Sequence, residues 1–286
     1  MRKAVQQMML GKVLRSEEQA ARVLETIRQC GYDGIELNGY MIRRTSLFVR
    51  MLTSAAGMPS GRGGAFDWAA LTQRAGLKVV GLHEDLGTLK RDTDAVIRKA
   101  KELRTDTVTI TGMYAFDYAS EQDVRGLCAD LNRCGQALAA EGLALLYHNH
   151  NIELCRTRES GERAYDLLIR ETDPAAVNFE FDSYWFTDGG ADAGAWMEKL
   201  GGRLAMWHIS DRGLKQKGKP ITPIVKADAT ELGYGNMNLD RLTKIAKASA
   251  CKAVVLETHR NHIHGDPMQS IQRSAAYLNR QFPSVR

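Results

Sequence analysis

The chain has 286 residues, 44% of them hydrophobic and 26% charged, with a formal net charge of +5; this is an ordinary soluble globular composition, enough for one large domain or two small ones. Basic residues are spread along the chain with no run interleaved with aromatics, which gives nucleic-acid binding little support, and no segment reaches the roughly 18 uninterrupted apolar residues of a membrane span. The five cysteines, Cys30, Cys128, Cys134, Cys155 and Cys251, are odd in number and form no CxxC pair, which argues against a disulfide scaffold or a thiolate zinc site; with no apolar core or cleavage site at the N-terminus, a cytoplasmic location is expected.

In chain order, apolar and β-branched segments predict strands at QMMLGKVL (7–14), GIELNG (34–39), LKVVGLHED (77–85), DTVTITG (106–112), LALLYHNH (143–150), AVNFEFD (176–182), RLAMWHISD (203–211) and KAVVLETH (252–259). Stretches with helical spacing lie between most of them, at 16–31, 92–104, 120–142, 160–172 and 239–250, and another follows the last strand at 266–282. Several open on a Ser or Asp cap and close at Gly. Eight strands alternating with helices in under 300 residues predict an α/β fold, a closed (β/α)8 TIM barrel in preference to a doubly wound sheet, read as a single domain over 1–286. Long connections at about 40–67 and 212–238 follow the second and seventh strands, where barrel loops build the active-site rim. The first carries Arg43, Arg44, Arg50 and Arg62 and the second Lys215, Lys217 and Lys219, charges that either face solvent or meet a substrate or partner subunit.

The fifth strand ends in an unusual way, LLYHNHNIEL. Side chains alternate along a strand, so His148 and His150 project to one face and Asn149 to the other. The sixth strand ends in Asp182, the seventh carries His208 and the eighth Glu257. Each could be a satisfied structural group, but four consecutive strands delivering imidazole or carboxylate to one rim also make a metal site. Buried charges are costly unless paired or metal-bound, and two imidazoles with two carboxylates suit a borderline divalent ion.

The segments QMMLGKVL, GYDGIELNGY, VVGLHEDL, LLYHNHNIEL, NFEFDSYWF, MWHISDR, LGYGNMNLDRL and VVLETHRN resemble, in order and over nearly the whole chain, the xylose-isomerase-like TIM-barrel superfamily, specifically its sugar phosphate isomerase/epimerase members. The resemblance implies one divalent metal ion, with manganese favoured and cobalt, zinc, iron or magnesium as alternatives, held at the ends of strands five to eight by Glu, Asp, His and Glu. Asp182, His208 and Glu257 match the last three positions. The first departs from the pattern, and His148 takes the place of the glutamate. On this reading His150, nearer the barrel mouth, is a base that removes a proton next to a carbonyl, and Glu153 is a second acid or base. The resulting enediolate leads to epimerisation, isomerisation or β-elimination.

Substrate contacts are expected from His83, Glu36, Trp185 and Asp211, with Trp207 as a further stacking candidate. Glu180, deeper on the face of Asp182, reads as a paired supporting group, and His259, His262 and His264 as a solvated loop. The leading expectation is a metal-dependent sugar isomerase or epimerase. A lyase acting on a 3-keto-glycoside, as in subunits that cleave C-glycosides, is the alternative, and an endonuclease IV-like DNA repair enzyme ranks third. Expected partners are a sugar or glycoside substrate and a homo-oligomer or partner subunit, with no nucleic acid and no membrane.

Overall fold

The structure is a computed structural model that describes residues 1–11, 13–43, 64, 66–216, 218–219 and 221–283. Eight strands close into a barrel: β1 (Arg2–Gln6), β2 (Gly34–Asn38), β3 (Lys78–Glu84), β4 (Thr107–Thr111), β5 (Ala144–His148), β6 (Val177–Asp182), β7 (Leu204–Ile209) and, after a small ribbon of β8 (Asp211–Gly213) with β9 (Asp228–Thr230), β10 (Ala253–Leu256). All neighbouring pairs in the barrel are parallel, in the order β1-β10-β7-β6-β5-β4-β3-β2. With helices packed around it, this is a (β/α)8 TIM barrel.

The first strand differs from the sequence expectation. QMMLGKVL is no strand: Gln7–Leu10 forms a 3-10 turn, and the strand is the preceding RKAVQ. Its two charged residues disguise it, because Lys3 is buried and sends its ammonium to the carbonyl of Phe282 at 3.0 Å, beyond the end of the last helix. The helices read from the sequence form with side-chain caps at Ser16, Asp92, Ser120, Asn238 and Asp266. Two eight-residue helices lie outside those expectations, as do the six-residue Leu86–Arg91 and Ser183–Asp188. Trp68–Ala75 sits between an Asp67 cap and Gly76 in the left-handed region at φ 68°, and Ala193–Leu200 opens on an Asp192 cap. Both are eight residues long, too short for a decisive periodic pattern.

Apolar residues separate into two compartments. A large one fills the space between strands and helices. A small one, Ala4, Val80, Leu146, Met206, Ala253 and Val255, plugs the barrel interior. Two irregularities set what sits above the plug. The β2–β3 pairing skips Val80, and the β6–β7 pairing skips Ala205. An extra residue in one strand reverses the alternation beyond it, so Leu82 joins the outer compartment while His83 meets carboxylates inside the barrel. Met206 and His208 face inward for the same reason.

Of the loop charges, Arg43 pairs with Glu84, Lys215 donates to Glu231 at 3.0 Å and to the Asn261 carbonyl at 2.9 Å, and Lys219 is exposed. Arg44, Arg50, Arg62 and Lys217 lie outside the described residues. Among the described residues no helix is long and apolar enough to cross a membrane.

Candidate metal centre and cavity

β5, β6, β7 and β10 are consecutive around the barrel wall. β5 ends on His148 and β6 on Asp182, His208 is the fifth residue of β7, and Glu257 immediately follows β10. Register brings Asp182 beside His208 and His208 beside Val255, two residues before Glu257. His148, Asp182, His208 and Glu257 are all buried, and each offers one ligand atom within 4.8 Å of the others. His208 Nδ1 is 2.8 Å from Glu257 Oε2. Asp182 Oδ1 accepts the backbone N–H groups of Tyr184 and Trp185 at 2.8 and 3.1 Å, which fixes the carboxylate's orientation. Asn149 explains its place between two histidines. From the other face it accepts the Asp182 N–H at 3.0 Å and donates to the Asp182 carbonyl at 3.1 Å, tying the ends of β5 and β6 together.

A second polar layer lies beneath. His83 Nε2 stands 2.8 Å from Glu180 and 3.1 Å from Glu36; His208 Nε2 stands 2.7 Å from Glu36 and 3.1 Å from Glu180. Gln6 donates to Glu36 at 2.8 Å and accepts from Asn38 at 2.5 Å. Gly81 makes room for this layer, since a Cβ there would stand 2.8 Å from Glu36 Oε1. Glu36, expected to meet substrate, instead has no exposed surface and binds two imidazoles; Glu180 takes the deep paired position the sequence suggests.

Burial and charge oppose one another here. Burial would lower His83, but Glu36 and Glu180 carry it up to about 10. His208 is likewise held well above the ordinary imidazole range by Glu180, Glu36 and Glu257 against the effect of burial. At His148 and His150 burial outweighs the help from Glu180 and Glu257 respectively, and pushes them down to about 4 and about 3. Burial raises Asp182 to about 8, whereas Glu257 stays well below the usual carboxylate range because His259 and His208 outweigh its burial.

The donor set fits a divalent cation. His148 Nδ1 is buried 3.4 Å from Glu180 with no hydrogen-bond partner, and Glu36 Oε1 and Glu180 Oε1, each 3.1 Å from an imidazole, likewise make no hydrogen bond. Neutral His148 has a lone pair to give, and buried Asp182 gains most from a neighbouring positive charge. His148, Asp182, His208 and Glu257 are the residues that would hold the ion.

A cavity of about 190 Å³ opens over this centre, and Gln6, Asn38, His83, Thr111, His148, His150, Glu257 and His259 line its polar part. The His150 ring packs 5.2 Å from His148 and 5.6 Å from Trp185, and Trp185 in turn is 4.9 Å from His259. His259, read from sequence as part of a solvated loop, thus belongs to the cavity, and its buried Nε2 makes no hydrogen bond but stands 3.7 Å from Glu257 Oε2. The signal was spacing: it stands two residues beyond Glu257, as His150 does beyond His148. His262 and His264 do not join the cluster; His264 is exposed and bonds Gln269 at 3.1 Å.

Two expected site residues are placed elsewhere. Glu153 does not line the cavity. It is fully buried behind it, accepting the Tyr147 hydroxyl at 2.7 Å and the His150 N–H at 2.9 Å, so it supports His150 from below. Asp211 uses its carboxylate on four backbone N–H groups, those of Arg212, Gly233, Gly235 and Met237, at 2.9 to 3.2 Å. That holds the LGYGNMN turn and leaves little capacity for a substrate. Trp207 is buried, its indole N–H 3.0 Å from Ser183 Oγ, and serves packing.

The chain matches the family model described as xylose isomerase-like TIM barrel over residues 24–281. No curated protein matches it. Among solved structures, a sugar phosphate isomerase/epimerase from Parabacteroides distasonis is 21% identical with a TM-score of 0.76, the match covering 100% of this chain and 96% of that one. The probable 3-DHS dehydratase AsbF from Bacillus anthracis is 12% identical, TM-score 0.67, covering 98% and 99%. The IOLI protein, solved with a zinc atom, is 14% identical, TM-score 0.68, covering 99% and 100%. Identities this low establish a common fold.

Proposed function

The chain belongs to the xylose isomerase-like TIM-barrel family, and from that premise we propose that it is a divalent-metal-dependent isomerase or epimerase of a keto-sugar or sugar derivative. The observation that carries this reading is the convergence of His148, Asp182, His208 and Glu257 within 4.8 Å beneath a cavity that His150 also lines. A divalent ion, manganese by preference, would supply a Lewis acid that polarises a carbonyl and offsets negative charge developing on a neighbouring oxygen.

The protein's own groups do the rest. Burial and His148 disfavour the charged form of His150, which leaves its ring nitrogen unprotonated but weakly basic, so its role as base rests on its place in the cavity wall next to His148. Glu257 acts in the opposite sense on the same imidazole and stabilises it once protonated. Glu153 holds the His150 backbone, and Trp185 packs against the ring. The deep Glu36–His83–Glu180 layer fixes His208 through Nε2 and leaves Nδ1 on the side of Glu257.

Loss of a proton next to a carbonyl also begins a β-elimination, and the dehydratase among the structural neighbours favours that as the second reading. Solvent deuterium exchange into a panel of 2-keto and 3-keto sugars decides between them: incorporation without loss of a group supports isomerase or epimerase, and release of a β-substituent supports the lyase. His150→Ala should abolish exchange and keep metal, whereas His148→Ala should lose metal as well. Full exchange in His150→Ala would overturn the assignment of the base.

A further inference from the structure

The cavity has a second wall that proton transfer does not use. Met8, Tyr40 and Tyr114 line one side of it. Met8 follows β1, Tyr40 follows β2 and Tyr114 follows β4, and the Tyr114 ring lies open at the rim, 72% exposed. Exposed aromatic surface beside a polar cavity is a seat for apolar ligand surface. Tyr40 adds a directional group, since its hydroxyl is buried without a partner and a ligand oxygen would satisfy it.

Apart from His83, which Glu36 and Glu180 neutralise from below, the ionised groups of the cavity lining are acidic. Glu84, Asp85 and Glu257 contribute carboxylates, and no Lys or Arg lines the cavity among the described residues. Arg43, at the start of the connection after β2, is already engaged by Glu84. That pairing is built in, because Gly39 leaves the space the Glu84 carboxylate fills: a Cβ there would come within 2.5 Å of Glu84 Oε2. Asp85 caps the helix Leu86–Arg91 by accepting the Thr88 N–H at 2.7 Å, which fixes its charge at the rim. A phosphate ester entering here would meet carboxylates rather than the guanidinium, ammonium or free N–H groups that ordinarily bind it.

We infer that the substrate of this site is an unphosphorylated sugar derivative bearing an apolar, planar substituent, seated on Met8, Tyr40 and Tyr114, and that Asp85 with the Arg43–Glu84 pair excludes phosphorylated sugars. The inference rests on the sugar-directed reading above and adds the class of sugar.

Binding separates the two claims. Isothermal titration of the manganese-loaded protein would compare the phenyl and methyl β-glycosides of glucose, galactose and xylose with glucose 6-phosphate and galactose 6-phosphate. For at least one sugar the phenyl glycoside should bind about tenfold more tightly than the methyl glycoside, from added apolar contact, and neither phosphate should bind more tightly than the methyl glycoside of its sugar. Tyr114→Ala should bring the phenyl-to-methyl ratio close to one with manganese affinity unchanged. Asp85→Asn, which keeps the helix cap, should strengthen binding of the 6-phosphates several-fold. A phenyl-to-methyl ratio of one for every sugar, tighter binding of either 6-phosphate in the unaltered protein, or no binding of any phenyl glycoside at millimolar concentration overturns the inference. Failure of the metal-centred reading would show separately, as loss of manganese binding in a direct titration without any sugar.

Discussion

The barrel interior has two floors built from the same strands, two residues apart. Leu146 lies below His148, Met206 below His208 and Val255 below Glu257. The lower residues pack against one another with Ala4, Val80 and Ala253 and need no partner beyond shape. The upper ones are as deeply buried, yet they are imidazoles and carboxylates, and His148 Nδ1 has no hydrogen-bond partner. Burial therefore stabilises the lower floor and strains the upper one. Equal depth in one cylinder serves stability in one layer and reactivity in the next.

Substitutions on the two floors should act on different quantities. The largest effect belongs above: Asp182→Asn keeps the oxygen that caps Tyr184 and Trp185 but removes a charge. It should weaken manganese binding by more than the about 100-fold that losing a supporting partner costs, with metal-free stability unchanged or raised, read by titration and urea unfolding. Below, Leu146→Ala should cost about 3 kcal/mol of unfolding free energy through lost burial and a residual cavity, with manganese affinity nearly intact. If Leu146→Ala instead abolished metal binding at full stability, the division between floors would fail.

Glu153 tests the support behind His150. Burial raises its carboxyl to about 7, above the about 4.3 of an unfolded chain. The stability this group gives is thus complete below about pH 4 and is lost as pH rises through about 7, a change of about 4 kcal/mol. Glu153→Gln removes that titration, so the stability difference between variant and unaltered protein should shift towards the variant between pH 4 and pH 8; a difference independent of pH would mean Glu153 is ionised at little cost. The smallest effect is expected at Gly112, where a Cβ would stand 2.9 Å from Glu153 Oε1 and 3.1 Å from His150 Nδ1. Gly112→Ala should cost about 1–2 kcal/mol and slow deuterium exchange more than it weakens metal binding.

The alternation of strands and helices was legible because parallel strands buried on both faces read as continuous apolar runs. The convergence of the four candidate ligands was legible because they are chemically conspicuous residues at the ends of such runs. β1 was hidden because Lys3, buried through a long-range bond to Phe282, looks like surface. Glu153 and Asp211 showed the right residue types near the right strands, but whether a carboxylate meets a ligand or its own backbone depends on contacts made 3 residues away in one case and 22 to 26 in the other. His83 turns inward through a pairing irregularity at Val80 that alternation alone does not reveal.

The strand order also divides labour around the circumference. The arc β5, β6, β7, β10 carries all four candidate ligands, and the facing arc β1 to β4 contributes Gln6, Asn38, His83 and the side chains that follow them along the cavity wall. Such a layout is modular for evolution and for engineering: the segments after the first four strands can diversify towards new substrates while the half with the candidate ligands is inherited unchanged, so a recombined barrel joining two relatives at the β4–β5 seam should exchange specificity and keep that cluster intact.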